Sequence, residues 1–152
     1  MGARSNWKKG RGTLGPLTPL LGTWVATSDS PMGKVICERR FEAVLGGKYI
    51  QLTCTWRFAK STYEEVALFG AADGTLAFWS FTSDGKRSNG VRTSAPDIHP
   101  DALCFEAEMP AGVARQVYWP NELGGFDWVV ESKTKKGWNR FVLHRYAAVE
   151  EE

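Results

Sequence analysis

The 152-residue chain reads as an all-β protein, a single up-and-down antiparallel β-barrel of about ten strands with a short N-terminal helical turn plugging one end. Three observations predict this. Turn signals recur about a strand length apart: Ser30-Pro31-Met32-Gly33, Gly46-Gly47, Asp73-Gly74, Asp84-Gly85, Asn89-Gly90, Gly124-Gly125 and Lys136-Gly137. The runs between them are short, rich in Val, Ile, Phe, Tyr, Trp and Thr, and lack a long helical period. Ten such strands left as an open sheet would expose two edges, which closure removes. A two-sheet sandwich is the rival arrangement.

The elements follow in order. Arg4, Lys8, Lys9 and Arg11 make residues 1–12 a basic leader, expected to be disordered. The opening MGARSN approaches a myristoylation signal but has Asn6 where Ser or Thr belongs. The barrel domain is expected over 13–149, with Glu150, Glu151 and Glu152 as an acidic tail. Pro16 and Pro19 mark a short turn around Leu17 to Leu21, followed directly by Gly22-Thr23-Trp24. A large aromatic so early must be buried by something later in the chain. In a barrel it packs into the plug.

Strands are expected at about 22–28, 33–44, 47–59, 62–70, 74–82, 86–93, 102–109, 113–119, 126–133 and 137–147. Alternation assigns their faces. Ile50, Leu52, Cys54, Trp56 and Phe58 share one face of the third strand. Leu103, Phe105, Ala107 and Met109 oppose Cys104, Glu106 and Glu108 on the seventh. Phe126, Trp128 and Val130 oppose Asp127, Val129 and Glu131 on the ninth. The last strand carries Phe141, Leu143 and Arg145 on one face. Closure brings that strand beside the first, so Arg145 is expected over Trp24 as a structural cation–π partner.

Composition bounds the function. Apolar residues make up 43% and charged residues 24%, ordinary globular values. A net charge of +2, concentrated at the ends, leaves the body without the basic face that nucleic-acid binding needs. No apolar run reaches the length of a membrane span, and no secretory segment opens the chain. Cys37, Cys54 and Cys104 form no CxxC pair and sit in apolar runs, which reads as reduced, buried thiols in a cytoplasmic protein. A monomer or homodimer is expected.

The segments PLLGTW, LGGKYIQL and FVLHRY, with Gly22-Thr23-Trp24 after a short turn and Arg145 near the end, resemble the calycin pattern of lipocalins and fatty-acid-binding proteins. Within that group the layout is most similar to nitrobindin-like proteins and related small bacterial barrels. The resemblance covers about Leu17 to Tyr146 and implies an up-and-down barrel around an apolar cavity. It also implies a candidate haem ligand near the C-terminus, matching His144, although alternation from Phe141 turns His144 outward. His99 stands in a loop beside Pro100.

No HExxH, GxSxG or phosphate-binding loop is present, and nothing in the spacing favours a Cys/His nucleophile pair. Polar residues on inward-reading faces are more informative. Arg39 alternates with Val35, Cys37 and Phe41, and Arg115 with Val113, Val117 and Trp119. A guanidinium inside a barrel requires a partner. That partner is either an internal carboxylate, for which Glu65 is the candidate, or an anionic ligand; near a rim, both arginines would reach water instead. The expected ligand wall is Phe41, Leu52, Cys54, Trp56, Trp79, Phe81, Trp119, Phe126 and Trp128, with Arg39 and Arg115 as anchors. The same rings could instead fill the interior completely.

The leading expectation is binding of a small apolar or amphiphilic molecule, an anionic one included, with no cofactor required and no metal site. An isomerase or cyclase working in the same cavity is the alternative, with Tyr63, Glu65 or Tyr118 giving acid–base help. Haem b held by His144 is a further one.

Overall fold

Hairpin follows hairpin around a complete ring. The computed structural model describes residues 7–149; the predicted leader up to Asn6 and the acidic tail lie outside the described residues. The strands are β1 (Gly22–Ser30), β2 (Gly33–Val44), β3 (Tyr49–Arg57), β4 (Thr62–Ala72), β5 (Thr75–Thr82), β6 (Arg87–Thr93), β7 (Leu103–Met109), β8 (Gly112–Pro120), β9 (Phe126–Thr134) and β10 (Gly137–Ala148). Each is antiparallel to its chain neighbours, and Trp24↔Ala148 and Val25↔Ala147 pair β1 with β10 to close the barrel. Closure leaves no open edge, as the sequence predicts.

A 3-10 turn, Gly15–Leu20, plugs one end by burying Leu17 and Leu20 completely. Trp24 follows it as expected. Its Nε1 donates to the Leu20 carbonyl at 2.7 Å, and its ring meets Phe126 edge-on at 5.1 Å. Arg145 is not its partner. Phe141 is one extra residue on β10, because Arg140 pairs with Glu131 while Val142 pairs with the adjacent Val130. That bulge reverses the alternation of everything after it. Phe141 (62% exposed), Leu143 and Arg145 therefore face out. Arg145 bonds Asp127 at 3.1 Å and also pairs with Glu122. Val142, His144 and Tyr146 face in, where they pack with the core.

A second departure comes from the connection after β6. Residues 94–102 lie over the outer face of β7, β8 and β9, where Ala95, Ile98 and Ala102 cover Cys104, Val117 and Val129. Trp7, inside the segment expected to be disordered, donates its Nε1 to the Asp101 carbonyl at 3.1 Å and packs against the core. No helix among the described residues is long and apolar enough to cross a membrane.

Candidate functional site

The barrel is packed at one end and hollow at the other. Toward the plug, Phe41, Phe69, Phe126 and Tyr146 fill the interior, with Phe126 and Tyr146 stacked at 5.0 Å. Toward the other end a hollow of about 670 Å³ remains, within the range of small-molecule sites. Its wall includes Trp56, Phe78, Phe105, Trp128 and Val130. Its mouth lies among the β1–β2 turn at Ser28 to Pro31, the β5–β6 turn at Thr82 to Ser88, Met109 and the bulged Phe141.

The hollow's wall also carries polar groups. Glu65 on β4 accepts a hydrogen bond from Ser80 Oγ on β5 at 2.5 Å. Gln116 on β8 accepts from Trp128 Nε1 at 3.1 Å and from the Tyr118 hydroxyl at 3.4 Å. Tyr63 stands at the lip, and partial burial pushes its phenol above the usual range. His144 is 3% exposed, wedged against Trp56 at 5.0 Å and Trp128 at 5.4 Å. Burial, then the nearby Arg39 charge, lower its pKa to about 4, so the ring is neutral at physiological pH.

Arg39 sits deeper. It is 1% exposed, and its guanidinium lies over the Trp128 ring at 4.0 Å. Its Nε donates to the Tyr146 hydroxyl at 3.1 Å and its Nη1 to the Tyr118 hydroxyl at 2.8 Å. Nη2 has no partner, and no carboxylate forms an ion pair with Arg39 among the described residues. Burial, ahead of every other influence, raises the phenols of Tyr118 and Tyr146 far above their usual range, so both stay neutral.

The structure sorts the predicted ligand residues into three groups. Trp56 and Trp128 line the hollow. Arg39, Phe41, Leu52, Cys54 and Phe126 face inward but belong to the packed interior. Trp79, Phe81, Arg115 and Trp119 are on the outer face. On β5 it is Phe78 and Ser80 that line the hollow, while Phe81 is 53% exposed. On β8 the inward side chains are Ala114, Gln116 and Tyr118; Arg115 borders the hollow, but its guanidinium points out. There it bonds Glu131 Oε1 and Asp97 and lies over Trp138 at 4.2 Å. Of the proposed catalytic groups, Glu65 and Tyr63 reach the hollow and Tyr118 is sealed beneath Gln116.

Gln116 and Ser80 were legible only as polar residues on strands whose inward face alternation misassigns. His144 belongs to the wall because of the bulge. Cys37 lies nearby, with Sγ 3.9 Å from His144 Nε2. That pair is not an activated nucleophile. Burial, with Cys54 adding to it, pushes the Cys37 thiol up to about 12 while the imidazole is held neutral.

The residues do not fit a haem as they stand. An axial ligand needs a ring nitrogen open to the hollow. Here Nε2 faces Cys37, Nδ1 lies 3.4 Å from the Tyr146 hydroxyl, and the ring is covered. No group of three or more His, Cys, Asp or Glu side chains is arranged for a metal ion among the described residues.

These features define a closed ten-stranded antiparallel barrel, compatible with the calycin layout, that is solid at the plugged end and hollow at the other. The chain matches no protein-family model and no curated protein.

Proposed function

We propose that the protein binds a small apolar or amphiphilic molecule in the hollow half of the barrel. The observation that carries this reading is the hollow itself. The plugged end closes around Phe41, Phe69, Phe126 and Tyr146, yet about 670 Å³ is left open at the other end beside Trp56, Phe105 and Trp128. An apolar space of that size with a few fixed polar groups is the usual make-up of a small-molecule site. The calycin-like layout of the closed barrel supports a cavity-binding role.

A neutral, environment-sensitive dye such as Nile red tests it. Ala107 lines the hollow, so Ala107→Trp fills it from the wall without touching the packed half. Blue-shifted dye emission with the unaltered protein, lost in a folded Ala107→Trp variant, is the expected result. Equal binding by both proteins, or none by either, overturns the proposal.

Turnover in the same hollow is the second reading, favoured by Glu65 and Tyr63 both reaching it from β4. Loss of turnover in Glu65→Gln with binding retained would select it. Haem binding through His144 requires the ring to leave Cys37. A Soret band on haem addition that disappears in His144→Ala would establish it.

A further inference from the structure

Two polar groups of the hollow lack protein partners, and they have opposite hydrogen-bonding character. Glu65 Oε2 is taken by Ser80, while Oε1 meets no donor among the described residues. Gln116 is oriented by its neighbours. An indole N–H can only donate, so the amide atom facing Trp128 Nε1 at 3.1 Å is the oxygen. The Tyr118 hydroxyl meets that same oxygen. This leaves the Gln116 amide Nε2 with no acceptor among the described residues. Neither Glu65 Oε1 nor Gln116 Nε2 is a sealed, orphaned atom; that condition belongs to Arg39 Nη2. Both residues line the hollow. Strands β4 and β8 are four steps apart around a ring of ten, so acceptor and donor stand on well-separated parts of the wall, with Phe105 on the intervening β7 and Trp128 beside Gln116 on β9.

We propose that the hollow selects an uncharged, largely aromatic molecule that donates a hydrogen bond to Glu65 and accepts one from Gln116. The inference rests on the cavity-binding reading and gives it a ligand class. Charge argues against the alternatives. A carboxylate ligand would bring like charge beside Glu65, and the guanidinium of Arg39 is sealed behind Trp128. A cationic ligand would have Asp29 and Glu65 in its favour but would meet Lys86 and Arg87 at the mouth and the only partly compensated Arg39 below. His144, held neutral, adds no charge to the wall. A site whose polar groups are satisfied only by the right ligand rejects analogues that lack the matching group.

Isothermal titration with three probes of one skeleton tests this. 6-Acetyl-2-naphthol carries a donor and an acceptor at opposite ends. 6-Acetyl-2-methoxynaphthalene lacks the donor, and 6-hydroxy-2-naphthoate is an anion. The naphthol is expected to bind at least about tenfold more tightly than either. In Glu65→Met, which removes the acceptor, the preference over the methoxy compound is expected to fall below about threefold. If the naphthoate or the methoxy compound binds the unaltered protein as well as the naphthol, or if Glu65→Met keeps the full preference over the methoxy compound, the inference is overturned while cavity binding stands. If no probe binds the unaltered protein, the cavity reading fails as well. Should Glu65→Met not fold, the comparison of probes on the unaltered protein still decides.

Discussion

The guanidinium of Arg39 lies over the indole of Trp128, 4.0 Å from the ring centroid, with two neutral tyrosine hydroxyls in place of a carboxylate. The stack places a full positive charge at the junction between the packed and hollow halves of the barrel. Stacking and hydroxyl dipoles compensate it only in part, because Nη2 is left bare. The planar fork is what allows one side chain to serve both tyrosines while stacking.

A lysine here would keep the charge and lose the fork. Arg39→Lys is therefore expected to destabilise the fold by about 2–4 kcal/mol. Arg39→Met removes the charge along with its desolvation and should lose less, about 1–2 kcal/mol. Urea unfolding of the three proteins measures both values. A lysine variant as stable as the parent would show that the fork contributes nothing.

His144 predicts an acid-sensitive stability. Its folded pKa is depressed to about 4 from an ordinary 6.5, first by burial and then by Arg39. Between those values the unfolded chain takes up a proton that the folded chain refuses. Unfolding is then linked to proton uptake, and stability falls as pH drops through the window. The loss attributable to this ring reaches about 3 kcal/mol near pH 4. His144→Gln abolishes it. Comparing unfolding free energies of the two proteins at pH 7 and 4.5 isolates the effect from carboxylate titration, which they share. Parallel pH profiles would mean that the ring is not buried neutral.

Much of the architecture is legible in the sequence, because hairpin signals and alternation are local. Ten strands, the plug, Trp24 against it, and the inward faces of β2, β3, β4, β7 and β9 can all be read that way. Three strands could not be, each for a physical reason. On β5 both faces are apolar, so Leu76-Phe78 and Ala77-Trp79-Phe81 compete, and the larger rings face out. On β8 the outward Val117 looks like core because residues 94–102 bury it from outside. On β10 one inserted residue at Phe141 reverses the faces, exchanging Arg145 for His144. The polar part of the candidate site draws on all three of these strands, which is why Ser80, Gln116 and His144 are its least legible members.

The outer network around Arg115 should matter unequally for its two carboxylates. Arg115 is 4% exposed and bridges Glu131, which is buried, to Asp97, which is mostly exposed. Truncation to Arg115→Ala leaves Glu131 with only the half-exposed Arg140 and is expected to lose about 3–5 kcal/mol. Asp97→Asn breaks an open pair and should lose no more than about 1 kcal/mol. Its effect is expected instead as faster amide exchange across residues 94–102, which Asp97 ties to the barrel wall. Unfolding curves and hydrogen exchange by mass spectrometry check the two halves. Equal losses from both substitutions would contradict the burial difference.

Asn121 predicts a weak point in the β8–β9 connection. Its side-chain oxygen accepts from the backbone N–H of Leu123 at 2.9 Å and of Gly125 at 3.0 Å. Its amide donates to Asp127 at 2.9 Å and to the Tyr146 carbonyl at 3.1 Å. One buried side chain thus fastens the turn to β10 beside the plugged end of the barrel. The turn lies so close that a Cβ on Gly125 would fall 2.1 Å from the Tyr146 carbonyl oxygen. Asn121→Ala leaves two backbone donors without partners and is expected to lose about 2–4 kcal/mol. Asn121→Asp keeps the acceptor but places a carboxylate against Asp127 and the Tyr146 carbonyl, and should lose at least as much near neutral pH. Acid should narrow that gap, since protonation restores a donor. Unfolding of both variants at pH 7 and 5 tests the pattern, and an aspartate variant insensitive to pH would remove the donor role assigned to the Asn121 amide.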